Sequence, residues 1–355
     1  MPESSAGEID SLRIAREVNL KSNFLKAIVW GVFVVTVGCI VPDAFAQSRL
    51  LVAEKGTRSL AIVDPASGKV LASVPEGGIT GHEVIASADG KLAFVPIYGN
   101  SGVGKPGTDG SNIAVIDIAS QKVVGNIAFD HGIRPHCPMI GPKDGMLYVT
   151  TELDKTITVI DPKTLKITAT IPTGQPESHM LALSHDGHRA YTANVGPGTV
   201  SVIDIKAKKV IKVIPVSANT QRISISPDDK WVFTADQTKP QMAVIDTATN
   251  SVAKWIPMEG LGYGSATTPD GRWLLVALPD QNKVAVIDLK SMQVARTVPV
   301  GDYPQEVLVR PDGKTAYVSC MHGSGTVSEI DLGSWKATRS IATGSSTDGL
   351  AWAVR

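Results

Sequence analysis

From residue 49 onward the chain is written in short runs of alternating apolar and polar residues. In one stretch Ser178 to Leu183 alternates, Ser184-His-Asp-Gly187 turns, Arg189 to Ala193 alternates again, Thr199 to Asp204 forms a third run and Lys209 to Val216 a fourth. Period-two alternation bounded by Asp-Gly and Pro-Gly clusters predicts four antiparallel strands, named a to d here. The third run closes on Val-Ile-Asp or a variant of it seven times, at Asp64, Asp117, Asp161, Asp204, Asp246, Asp288 and Asp331. After a first step lengthened by a Gly-rich loop, these aspartates lie 42 to 44 residues apart. A period of about 40–45 residues carrying four strands and no helical pattern is that of a propeller blade. The pattern thus predicts an all-β, seven-bladed β-propeller of four-stranded antiparallel blades.

The turns and the two ends agree with this reading. Ser87-Ala-Asp-Gly90, Ser226-Pro-Asp-Asp229, Thr268-Pro-Asp-Gly271 and Arg310-Pro-Asp-Gly313 occupy one offset of the repeat, where Pro presets one turn dihedral and Gly takes a positive φ. The first run, Arg49 to Glu54, reads as a strand b, and the last, Asp348 to Val354, as an unpartnered strand a. Both are expected in one blade, so that the C-terminal strand closes the ring and removes its free edges. Tyr148-Val-Thr-Thr151, Tyr191-Thr-Ala-Asn194 and Tyr317-Val-Ser-Cys320, each followed by a Thr-Val-x-Val-Ile-Asp-like run, resemble the tetrapeptide of the YVTN-family seven-bladed propellers. The resemblance spans residues 49 to 355 and implies the fold; it does not select among the binding proteins, surface-layer components and enzymes built on such repeats.

A formal charge of zero leaves no basic stripe for nucleic acid. Lys21 and Lys26 precede an uncharged apolar run, Ala27 to Val41, followed by Ala44-Phe-Ala46. This predicts a signal peptide within an N-terminal extension, residues 1–46, ahead of a single propeller domain, 47–355, in the periplasm or secreted, with no stable membrane span after processing. A retained anchor and a lipoprotein signal at Cys39 are the alternatives. Cys137 and Cys320 fall in blades too far apart for a disulfide and read as small buried hydrophobes.

Aligning the starts of the seven strands a on their turn landmarks sets His82, His136, His179, Gln221, Tyr263, Gln305 and Asp348 at one level, around one mouth of the channel. Three of the chain's seven histidines thus fall on three consecutive blades, an arc that suggests a divalent transition metal, Zn or Cu, held by His82, His136 and His179. Structural hydrogen bonding around a wet channel explains the same residues without a metal. Beside them, Glu83, Arg222 and Tyr263 are candidate catalytic groups, and Glu177 and Glu306 candidate ligand-binding groups. The insertion Gly99 to Gly110 rises on the same face, as a lid or as a tolerated surface loop. Its G-x-x-x-x-G-K match lacks the following Ser or Thr and is a false P-loop. There is no haem, NAD or Fe–S motif: no C-x-x-C-H, no clustered Cys, no G-x-G-x-x-G after a strand, and no G-x-S-x-G elbow. Haem, nicotinamide and serine-hydrolase chemistry are therefore not expected. Two functions follow: binding of a small-molecule ligand or metal at the channel mouth, as an enzyme a metal-assisted hydrolase, lyase or oxidase; or a non-catalytic scaffold for an envelope protein.

Overall fold

The computed structural model describes residues 48–354. The expected signal peptide and its cleavage site lie outside the described residues. Seven four-stranded sheets are present, each ordered a-b-c-d, and every pairing within them is antiparallel. The repeat read around Asp204 folds as Ser178–Leu183, Arg189–Asn194, Thr199–Asp204 and Lys209–Pro215. The first blade combines both ends of the chain: Thr347–Ala353 pairs with Arg49–Glu54, Arg49 opposite Ala353 and Glu54 opposite Thr347. Among the described residues no helix is long and apolar enough to cross a membrane.

The recurrent aspartate is explained by local hydrogen bonding. Each ends a strand c, and its carboxylate accepts backbone N–H groups from the turn that follows: Ala207 on Asp204 at 2.8 Å, Ala248 and Thr249 on Asp246 at 2.8 and 2.9 Å, Ser334 on Asp331 at 2.7 Å. This is the Asx turn, in which a short carboxylate replaces a strand partner. Four residues after each aspartate the backbone is left-handed, at Gly68, Gln121, Leu165, Lys208, Asn250, Met292 and Trp335. Only one of the seven is Gly, so the turn, and not a glycine, imposes that conformation.

Burial grades outward along each blade. Strands b and c are almost wholly buried, as in Trp273–Leu278 and Lys283–Asp288, while strand d exposes alternate residues. Apolar clusters fill the spaces between neighbouring blades, such as Phe233, Met242, Val244, Leu274 and Val276. The outer edge is protected by charge and by proline: strands d begin with Lys69, Lys122, Lys166, Lys209 and Lys336, and end at Pro75, Pro172, Pro215, Pro257 and Pro299. Lys costs an incoming strand its charge and Pro offers no N–H. Cys137 and Cys320 are both free and buried, as expected.

Candidate functional site

Strand a opens on a β-bulge in five blades, where the pairing with strand b slips: Pro135/Pro138, Ser178/Met180, Thr220/Ile223, Pro304/Val307 and, seen from strand b, Val52/Glu54. A bulge bends the strand and re-aims the side chains beside it. Here it directs the first residues of strand a into the channel mouth. Six of the seven aligned positions, His82, His136, His179, Gln221, Tyr263 and Asp348, line one cavity of about 130 Å³ with Lys55, Tyr98, Gly102, Val103 and Arg222. The seventh, Gln305, lines an adjoining cavity of about 370 Å³, which shares Lys55, Gln221 and Tyr263 with the first.

The imidazoles are close but do not converge on a point. His136 and His179 stack with ring centroids 3.6 Å apart, and His82 meets His136 edge-on at 5.6 Å. Among the described residues no group of three or more His, Cys, Asp or Glu is arranged to hold a metal ion. The three candidate metal ligands, His82, His136 and His179, are brought together as one packed aromatic group. Tyr98 completes the group, 4.7 Å from His82, 5.1 Å from His136 and 5.6 Å from His179.

Burial keeps these rings neutral. It drives His82 down to about 3, assisted by the Lys55 charge, and His136 well below the ordinary imidazole range, assisted by its neighbouring histidines. It lowers His179 too, against the opposing pull of Glu152. Glu152 itself is pushed up by burial, but His179, Tyr98 and Arg134 outweigh this and hold it ionised below the usual range. It accepts from the Tyr98 hydroxyl at 2.7 Å and faces His179 Nδ1 at 3.1 Å, with Arg134 at 3.3 Å on its other oxygen. An ionised carboxylate at that distance accepts a hydrogen bond from the Nδ1–H of a neutral ring and leaves the lone pair on Nε2. His136 Nδ1 is buried without a hydrogen-bond partner.

The ionisable candidates form a second group. Arg222 is 2% exposed and donates to Glu83 at 2.6 Å, Glu306 at 2.7 Å and Asp348 at 2.9 Å, with Tyr263 under its guanidinium at 4.7 Å. One arginine on the fifth blade thereby ties the second, seventh and first across the channel. Lys55 adds a contact to Asp348 at 3.2 Å. Burial raises Glu83 to about 8 and Glu306 to about 7 despite Arg222, whereas Lys55 and Arg222 overcome burial at Asp348 and hold it low. Arg222, a candidate catalytic group, has both terminal nitrogens committed to these carboxylates. Glu177 stands apart, half-buried, accepting the Gly196 N–H at 2.7 Å. It occupies the left-handed position just before strand a, shared with Arg134, Tyr303 and Ser346.

Four site residues escaped the alignment of strands a: Lys55, Tyr98, Glu152 and Arg134. The first three share one register. Counted from the pairing of strands b and c, the residue after the strand-b position that faces the residue five before the recurrent aspartate is Lys55, Tyr98, Glu152, Val195, Gln237, Pro279 and Met321 around the ring. Lys55, Gln237, Pro279 and Met321 line the larger cavity. Aligning the ends of strands b would have found this second ring.

The model of the Cytochrome D1 heme domain family matches residues 140–269, a segment that includes Glu152, His179, Arg222 and Tyr263. Among solved structures, the chain is similar to Kuenenia stuttgartiensis hydrazine synthase, 22% identical with a TM-score of 0.69 over 81% of this chain and 93% of that one. It is also similar to a functionally unknown protein from Desulfotomaculum acetoxidans, 14% identical, TM-score 0.72, over 86% and 99%. A third is the dihydro-heme d1 dehydrogenase NirN in complex with DHE, 14% identical, TM-score 0.62, over 87% and 75%. At these identities the structures speak for the fold. Comparison with curated proteins returns no match. The family match overturns the expectation that haem is excluded. That expectation rested on a missing C-x-x-C-H, which marks covalent c-type attachment only; haem held through an imidazole needs no cysteine.

Proposed function

We propose that this propeller binds a haem-related tetrapyrrole at its channel mouth. The observation that carries the reading is the set of buried, neutral imidazoles, one with an unpartnered Nδ1, inside a chain matched over residues 140–269 by a haem-domain family. Iron in haem takes neutral imidazole as an axial ligand. His179, its Nδ1 proton held by Glu152, and His136 are the donors of that kind here. The adjoining cavities, about 130 and 370 Å³, together lie within the ~300–1,000 Å³ range of small-molecule sites. Gln221, Gln237, Gln305 and Tyr303 supply neutral hydrogen-bonding groups for polar substituents on a ring edge. Bound there, the group would supply redox or gas-ligand chemistry at iron, while the protein excludes water and orients the donor ring.

The same proposal takes the repeats as YVTN-type and the protein as exported. Tyr148, Tyr191 and Tyr317, at the head of the degenerate tetrapeptides, are all buried, which supports a common structural role. The basic and apolar leader ending at Ala46 supports export.

Titration of the purified chain with haemin, followed by the visible absorption spectrum and equilibrium dialysis, tests the reading. Saturable binding at one equivalent is expected, weakened at least roughly tenfold in His179→Ala or His136→Ala, as loss of a metal ligand should do. Absence of binding by the wild type, or equal affinity in both variants, would refute it.

A further inference from the structure

The insertion between strands b and c of the second blade has no counterpart in the other six, and one buried arginine holds it. Arg134 is 5% exposed. Its Nη2 donates to the Lys105 carbonyl at 2.7 Å, its Nη1 to the Gly102 carbonyl at 3.3 Å and its Nε to Asp109 at 2.6 Å, at the foot of the loop. The same guanidinium reaches Glu152 at 3.3 Å. Glu152 in turn holds His179 and Tyr98. The loop's neck is stiffened by Asn100, whose N–H donates to the Thr108 carbonyl at 3.2 Å while its side-chain oxygen accepts from Thr108 N–H at 2.7 Å. Its middle, Gly102 and Val103, forms a wall of the histidine cavity. At Gly104 a side chain would come within 2.6 Å of Glu177, so the loop reaches from the second blade to the fourth.

We infer that loop 100–108 is a lid over the imidazole chamber, that Arg134 is its latch, and that Glu152 is a positioning residue coupling the latched state to the orientation of His179. The inference deepens the channel-mouth reading by assigning control of access to it. One planar guanidinium spans the loop carbonyls, the loop's foot and the carboxylate that orients the ring. When the loop lifts, Arg134 loses its carbonyl partners, and its guanidinium is no longer held in one place against the other oxygen of Glu152. Lysine cannot substitute, because an ammonium presents no planar fork to four acceptors.

Carbethoxylation of histidine by diethylpyrocarbonate, read residue by residue by mass spectrometry on the ligand-free full chain, tests it. In the wild type His82, His136 and His179 should react slowly relative to His188, which is exposed. Arg134→Met should speed the three chamber histidines by roughly tenfold or more, the weight of one charge-assisted hydrogen bond in a local opening equilibrium, and leave His188 unchanged. Arg134→Lys should not restore protection. A second variant, with Asn100–Thr108 shortened to Asn-Gly, should open the chamber equally without touching the latch, and covers the case in which Arg134→Met folds poorly. Glu152→Gln should shift the ring-nitrogen NMR signature of His179 from Nδ1–H towards a mixture of tautomers, and Arg134→Met should shift it the same way. Unchanged chamber rates in both loop variants, a parallel rise at His188, or a His179 signature insensitive to Arg134 would overturn the inference. None of these readouts uses haemin, so failure of tetrapyrrole binding and failure of the lid are separate results.

Discussion

Replacing Arg222 by Met tests the charge accounting of the channel, because the change removes one cation from among three buried carboxylates while keeping much of its volume. Taking away one partner of a buried ionic group costs about 3–5 kcal/mol when the remaining charge stays in place. Here two of the three carboxyls have an escape. Glu83 and Glu306 sit at about 8 and about 7 against an ordinary 4.5, since burial favours their neutral forms. Through these two groups the folded protein holds more protons than the unfolded chain between about pH 4.5 and 8, and their contribution to stability falls as pH rises through that window. Asp348 has the opposite sign: its depressed pKa contributes stability at neutral pH that is lost on acidification. Without Arg222 the two glutamates should hold their protons to still higher pH. Urea unfolding near pH 9 should show the full penalty of about 3–5 kcal/mol. Near pH 5, with both glutamates neutral, about 1–3 kcal/mol should remain, for lost charge-assisted hydrogen bonds. An equal penalty at the two pH values, or a larger one in acid, would show that the glutamates do not titrate as the burial argument requires.

Tyr98→Phe should cost about 1.5–3 kcal/mol in the same assay, since Glu152 loses a hydroxyl donor in a buried site; a neutral change would mean that water replaces it. Deleting residues 347–355 should abolish cooperative unfolding and cause aggregation by exposing the edge of Arg49–Glu54; light scattering and a thermal melt indistinguishable from the full chain would count against ring closure. Gly264→Ala should destabilise by about 1–3 kcal/mol, because a Cβ there would stand 2.2 Å from the Gln305 carbonyl where two inner strands meet; unaltered stability would require those strands to part freely. Edman sequencing of protein recovered from the periplasm or medium should begin at Gln47, and an intact N-terminus in the membrane fraction would favour a retained anchor.

The fold was legible because each of its determinants is local and repeated seven times. The Asp of every Asx turn sits at a fixed distance from the apolar alternation before it, and ring closure follows from counting strands at both ends. The inner ring was legible for the same reason, as His82, His136, His179, Gln221, Tyr263, Gln305 and Asp348 share one offset from their turns. What those residues do to one another was not. Whether three imidazoles stack or converge depends on bulge geometry, which leaves no signature in residue type. The ion pairs of Arg222 were not legible because its three carboxylates come from sequence distances of 84 to 139 residues. Glu152 was hidden at the end of a strand b, in a register where its counterparts are Lys, Tyr, Val, Gln, Pro and Met. Haem was not legible because only covalent attachment leaves a C-x-x-C-H, whereas ligation through an imidazole leaves no such motif.

Closure of the first blade also fixes an order of events in folding. Glu54 accepts the N–H of Gly344, 290 residues further on, and Arg49–Glu54 has no inner neighbour until Thr347–Ala353 reaches it. Contacts of such separation carry the largest loop-closure cost and form slowly. Blades two to seven are each contiguous in sequence and can assemble as their strands appear, but the ring stays an open arc until the final strand arrives. A chain with one blade held incomplete stays unlocked until its last strand is made, and only then becomes a closed ring.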